Sequence, residues 1–172
     1  MKILINAGHG GNDPGAVSKN NKKEKDITRI IASFLVGFLI DEGFDVEFYQ
    51  QKTSVNEVVE VEKSSKSALV ISLHCNSAVN SNASGVECLH YPGSGTGKAV
   101  AEIISRNVAE YLEIKNRGAK ARKDLRVLSG TVAPAVIVEM AFLSNLAEEK
   151  MLVQEPYNFA GAIAKGVKEW AK

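Results

Sequence analysis

The chain has 172 residues, of which 45% are hydrophobic and 24% charged, the balance of an ordinary globular domain and not of a disordered segment. Lys and Arg number 21 against 20 Asp and Glu, a formal charge of +1, which excludes a chain-wide attraction to nucleic acid or to an anionic membrane surface. A domain of this length buries roughly two-thirds of its unfolded surface and needs no metal or disulfide merely to fold. Two cysteines, Cys75 and Cys88, are too few for a disulfide framework and read as reduced, structural thiols.

In chain order, Lys2 to Asn6 is a short apolar run stopped by the turn-rich stretch Ala7 to Gly15, a buried strand feeding a loop. The run is too short for a signal peptide or membrane helix, so the expectation is synthesis in the cytosol, with no membrane insertion. Ile27, Ile30, Ile31, Phe34, Leu35, Phe38 and Leu39 recur at helical spacing and Gly43 closes the run, predicting a helix over Glu24 to Glu42. Phe44 to Tyr49 alternates as a strand, and Val55, Val58 and Val59 predict a second helix near Ser54 to Lys66. Ala68 to Leu73 is nearly all apolar, as in a strand covered on both faces, and it is expected to stop at His74.

A strand over Gly85 to Tyr91 comes next, then a helix opened by Gly93 to Gly97 and carrying Val100, Ile103, Ile104 and Tyr111. The glycines do not have phosphate-loop spacing. Leu125 to Leu128 and Ala135 to Val138 read as short strands. Asn145 with Glu148 reads as a cap-and-acid pair opening a short helix, and Tyr157 to Ala171 as a closing helix with Phe159, Ile163, Val167 and Trp170 inward. Strands separated by helices predict one α/β domain over residues 1–172, with a largely parallel sheet between helices and no separate binding module.

Open α/β sheets place their sites beyond the carboxyl ends of the strands. His9, His74 and Glu139 follow three of the predicted strands, and Glu24 falls in the first turn of the first helix. Two imidazoles and one carboxylate would leave zinc an open position, and the remaining acid would serve as general base or acid. A zinc ion in such a site polarises a scissile carbonyl, while Glu139 would carry a proton to the leaving nitrogen. The opposing possibility is that His9 and His74 are hydrogen-bonded structural residues and Glu24 a solvated acid, since the spacing has no compact zinc motif. His90 reads as structural.

At these residues the sequence resembles the zinc-dependent N-acetylmuramoyl-L-alanine amidases of the amidase-3 family, found in bacterial autolysins and phage endolysins. The resemblance runs through Ala7-Gly8-His9-Gly10-Gly11, Asp13-Pro14-Gly15, Glu24, Ser72-Leu73-His74-Cys75-Asn76, Gly85-Val86-Glu87, Arg117-Gly118, Pro134 to Glu139 and Phe142-Leu143-Ser144-Asn145. It implies a six-stranded, mostly parallel sheet flanked by helices, one zinc on His9, Glu24 and His74, and Glu139 as the catalytic acid. Asn6-Ala7 departs from the family's Asp-Pro and is expected to alter the support of His9. Glu60-Val61-Glu62-Lys63 stands where the family has an arginine-containing helix, and is expected to alter only a helix surface.

Arg117 lies among Lys115, Lys120, Arg122, Lys123 and Arg126 and reads as a contact for stem-peptide carboxylates, against the alternative of a solvated loop. Asn76 reads as supporting the site. The expected activity is hydrolysis of the amide between N-acetylmuramic acid and L-alanine by a monomer with peptidoglycan as its partner. With no signal peptide expected, a cytosolic enzyme acting on an external polymer needs a release route, which suggests a phage or prophage endolysin, or a mother-cell enzyme of sporulation, acting on the wall after release. The alternatives are another zinc amide hydrolase, such as a peptidase or deacetylase, and a non-catalytic wall-binding module.

Overall fold

The computed structural model describes residues 1–52 and 54–172. Its elements in order are β1 (Lys2–Ala7), α1 (Glu24–Asp41), β2 (Asp45–Gln50), α2 (Val55–Ser65), β3 (Leu69–Asn76), β4 (Val86–His90), α3 (Gly95–Leu112), β5 (Asn116–Ala121), α4 (Arg126–Gly130), β6 (Ala135–Phe142), α5 (Leu146–Gln154) and α6 (Pro156–Trp170). The six strands form one sheet in the order β2-β1-β3-β6-β4-β5. Neighbours run parallel except β4 against β6, so the mostly parallel α/β sheet expected from the sequence is the one observed.

The two sheet faces are covered unequally, and that inequality places the site. Ile3, Ile5, Leu69, Ile71, Leu73, Val136, Val138 and Met140 join residues of α1, α3 and α6 in the larger core. The alternate residues Leu4, Val70, Ala135 and Ile137 meet Val58 of α2 and Val127 and Leu128 of α4 in a smaller one. Alternation along each strand sends successive side chains to opposite faces. The polar residues that continue the second set, Ser72 and His74 on β3 and Glu139 on β6, therefore share the face that only two short helices cover.

Local chemistry explains most boundaries. Ser54 Oγ accepts from the Asn56 amide at the start of α2, and Gly43 at φ 84° follows the end of α1 in a conformation that favours glycine. Asn145 caps α5 by accepting from the Ala147 and Glu148 amides. Among the described residues no helix is long and apolar enough to cross a membrane. Cys75 and Cys88 are buried and unbridged.

Several expectations need correction. The predicted strand Leu125 to Leu128 falls instead at α4, whose Val127 and Leu128 are buried as one helical face. The basic stretch weighed as a loop contains β5. Glu148 is not the reciprocal half of a capping pair, because its carboxylate accepts from the Gly85 and Phe142 amides, both at 2.6 Å. Ile30, Phe34 and Tyr111, counted in apolar helix faces, are exposed; they extend those stripes beyond what the sheet covers.

Candidate functional site

The site begins in the loop after β1. Gly8 keeps contact with β3 through its amide on Leu73 O at 2.9 Å, and His9 then turns with φ 62°, a left-handed conformation in which histidine is tolerated better than bulkier residues. His9 Nδ1 lies 2.8 Å from Asp13 Oδ2, and Asp13 Oδ1 accepts from the Gly15 amide at 3.0 Å. With Nδ1 so engaged, Nε2 is the nitrogen turned to Glu24 Oε2, 3.3 Å away.

Glu24 opens α1, and its carboxylate is buried between the two histidines. Oε1 accepts from the Cys75 amide at 2.9 Å and lies 3.0 Å from His74 Nδ1; Oε2 accepts from the Ala16 amide at 2.8 Å. Burial pushes the Glu24 carboxyl up, but hydrogen bonds from His74 and His9 outweigh it and hold the group well below the usual carboxylate range. The hydrogen bond to Glu24 raises His9 to about 9 against the effect of burial. The reading of Glu24 as a solvated acid is therefore wrong.

Two glycines make this convergence possible. A Cβ on Gly8 would sit 2.3 Å from His74 Cε1, and one on Gly15, at φ 66°, would sit 2.6 Å from Glu24 Oε2. One ligand-type atom from each of His9, Glu24 and His74 lies within 4.8 Å of the others. Two imidazole nitrogens and one carboxylate oxygen around a common point suit a divalent cation of the zinc type, so the residues present fit the metal that the resemblance implies.

His74 and Glu139 do not follow their strands as expected; they lie within β3 and β6, which continue to Asn76 and Phe142. The extra residues project both side chains from the sheet face and put His74 in register with Glu139. On the other side Glu139 is in register with Glu87 of β4. Burial raises the Glu139 carboxyl, with the nearby Glu24 and Glu87 charges adding to the rise and His74 opposing it.

Glu87 is a hub. It accepts from Asn76 Nδ2 at 3.0 Å on Oε1, and from Arg117 Nε at 2.6 Å and Lys120 Nζ on Oε2. Burial raises its carboxyl, but the bonds from Lys120 and Arg117 prevail and lower it. Arg117 also donates from Nη1 to Ser84 O at 3.3 Å and lies over the Phe142 ring, 5.0 Å from its centroid. Arg117 and Asn76 are thus joined to one carboxylate beside Glu139.

The hydrogen bond that the Asn6 side chain makes is to Ser72 rather than to His9. Asn6 is buried and donates from Nδ2 to Ser72 Oγ at 2.7 Å, while Asp13 supports His9. Glu62 is not on a helix surface either: it is buried and accepts from the Val132 and Ala133 amides at 3.1 and 2.9 Å. His90 is buried, with Nδ1 3.0 Å from Tyr91 O. Sequence reasoning quoted Asp13 and Glu87 without giving them a part; an acid four residues after a candidate ligand histidine was the signal available for Asp13.

The sheet and the His-Glu-His grouping define an α/β protein with a candidate metal centre. The chain belongs to the N-acetylmuramoyl-L-alanine amidase family, whose model matches residues 3–169. It is 30% identical over 155 residues to the probable cell wall amidase LytH of Staphylococcus saprophyticus, covering 89% of this chain and 52% of that protein. The chain thus spans about half the length of that relative. Among solved structures, the amidase AmiC2 of Nostoc punctiforme superposes with TM-score 0.93 at 25% identity, covering 99% of this chain and 97% of that one. The CwlD amidase of Clostridioides difficile, solved in complex with the GerS lipoprotein, gives TM-score 0.92 at 26% identity, with 99% and 98% covered.

Proposed function

We propose that this protein hydrolyses the amide between N-acetylmuramic acid and L-alanine in peptidoglycan, with one zinc ion held by His9, Glu24 and His74. The observation that carries the reading is the convergence of those three side chains with Glu139 in register beside His74. Zinc at that point would supply Lewis acidity, polarising the scissile carbonyl and acidifying water.

The protein's own residues supply the rest. Asp13 holds His9 by Nδ1 and so aims Nε2 at the centre. Glu139, whose proton affinity burial raises, takes a proton from the attacking water on its carboxylate and returns it to the leaving nitrogen. Both transfers are required, because an amine leaves as a neutral molecule and not as an anion. Arg117 provides a guanidinium for the peptide, and Asn76 supports the site through Glu87.

The test is product analysis of purified peptidoglycan after digestion. The expected products carry free lactyl groups and new L-alanine amino termini, with glycan strands and cross-links intact, and chelation stops the reaction until zinc is restored. Cleavage at another bond, or activity indifferent to chelation, overturns the proposal.

A further inference from the structure

Charge is nearly balanced over the chain at +1, yet residues 115–126 hold six bases, Lys115, Arg117, Lys120, Arg122, Lys123 and Arg126, and one acid, Asp124. These bases are not equivalent. Arg122 forms a two-point pair with Asp124, and Arg126 donates to Asn56 Oδ1 at 3.0 Å. Arg117 and Lys120 turn instead to Glu87, in the row beside Glu139.

We propose that Glu87 is a positioning residue that holds Arg117 and Lys120 as a cationic subsite for a carboxylate of the substrate's peptide, two to three residues from the scissile amide. This rests on the amidase reading above.

Geometry and charge carry it together. Arg117 is fixed by Glu87 on Nε, by Ser84 O on Nη1 and by the Phe142 ring against its face, which engages two of a guanidinium's five N–H donors and leaves the others for a ligand. Lys120 spends one contact on Glu87 and has further donors. Two cations against one carboxylate leave a positive surplus next to Glu139. Arg117 is half-buried and Lys120 exposed, so both are open to an incoming anion, and charge-assisted hydrogen bonds to a carboxylate are among the strongest available.

Substrate chemistry then gives direction. The lactyl carboxyl of the sugar is consumed in the scissile amide, so the free carboxylates belong to the peptide, and the cations mark the peptide side of the cleft. His74, Glu139 and Glu87 form a register row across β3, β6 and β4, and β5, which carries Arg117 and Lys120, is the next strand beyond β4. Neighbouring strands lie about 4.8 Å apart, so the cationic head groups sit one to two spacings, about 5–10 Å, from Glu139. An extended peptide covers that in two to three residues at about 3.4 Å each.

The experiment compares two synthetic muramoyl tripeptides whose second residue is a glutamate joined to the third through its γ-carboxyl, one with the second- and third-residue α-carboxylates free and one with both as primary amides. The wild-type protein is expected to favour the free acid about tenfold in kcat/KM, chiefly through KM. Lys120→Met and Glu87→Gln each shrink that preference by raising KM for the acid more than for the amide, with smaller changes in kcat. Arg117→Lys does not restore it, because the fork is lost. Lys120 is largely exposed, so its variant keeps the test independent of folding. Equal use of the two substrates by the wild-type protein, or a preference unchanged in the variants, overturns the subsite. No turnover of either substrate overturns the amidase reading itself, and the subsite with it.

Discussion

Asp13 Oδ2 stands 2.8 Å from His9 Nδ1, and this contact decides which nitrogen of His9 faces Glu24. Carboxylates in this relation to a ligand histidine fix both its tautomer and its ring orientation. Asp13→Ala is expected to weaken zinc binding about 10–100-fold, measured by competition with a chromophoric chelator. Unchanged affinity would remove Asp13 from the centre.

Glu139 shares a register row with His74 but lies outside the His-Glu-His grouping, so its removal separates chemistry from metal binding. Glu139→Gln keeps the shape of the side chain and abolishes its ability to carry a proton. Turnover should fall about 10²–10⁴-fold while zinc stoichiometry and melting temperature stay at wild-type values. Substantial residual turnover would assign the proton transfers elsewhere.

His9, Glu24, His74 and Glu139 were legible because each follows or opens a segment whose apolar pattern marks a strand or helix, and the fold class was legible for the same reason. What the pattern could not reveal was where strands end. Ala68 to Leu73 and Ala135 to Val138 are apolar and His74 and Glu139 are not, yet ladder pairing carries β3 and β6 past both. β5 was hidden because an edge strand of sequence Asn-Arg-Gly-Ala-Lys-Ala has no buried face to betray it. Glu62 and Glu148 were hidden because buried acids that accept two backbone amides have no period; their partners lie tens of residues away or across a turn.

Gly8 leaves room for His74. An added methyl group would meet His74 Cε1 at 2.3 Å and the Leu73 carbonyl oxygen at 2.6 Å, and neither the ring nor the strand can yield without opening the centre. Gly8→Ala is expected to cost about 1–3 kcal/mol of stability and to lower zinc occupancy, read by urea denaturation and metal analysis. Full occupancy at wild-type stability would show that His74 tolerates displacement.

Glu62 ties α2 to the chain entering β6 by accepting from the Val132 and Ala133 amides. Glu62→Ala leaves both donors without that acceptor, and the expected loss is about 1–3 kcal/mol in a urea titration. Glu62→Gln, which still offers one acceptor oxygen, should lose less. Equal losses would mean that packing of the side chain matters more than its hydrogen bonds.

Glu87 gives the fold a pH dependence whose sign is fixed by its partners. Its carboxyl is buried, which raises it, but the bonds from Lys120 and Arg117 prevail and set it below the ordinary value of 4.5. A group whose folded value is depressed stabilises fully above its unfolded value and loses that contribution as pH falls through the folded one. The stability difference between wild type and Glu87→Gln should therefore be constant from neutral pH down to about 4.5 and shrink below it. Urea midpoints measured across that range give the difference directly. A gap that widens on acidification would mean that Glu87 is held in the folded protein by its protonated form, and that Arg117 and Lys120 are not its partners in solution.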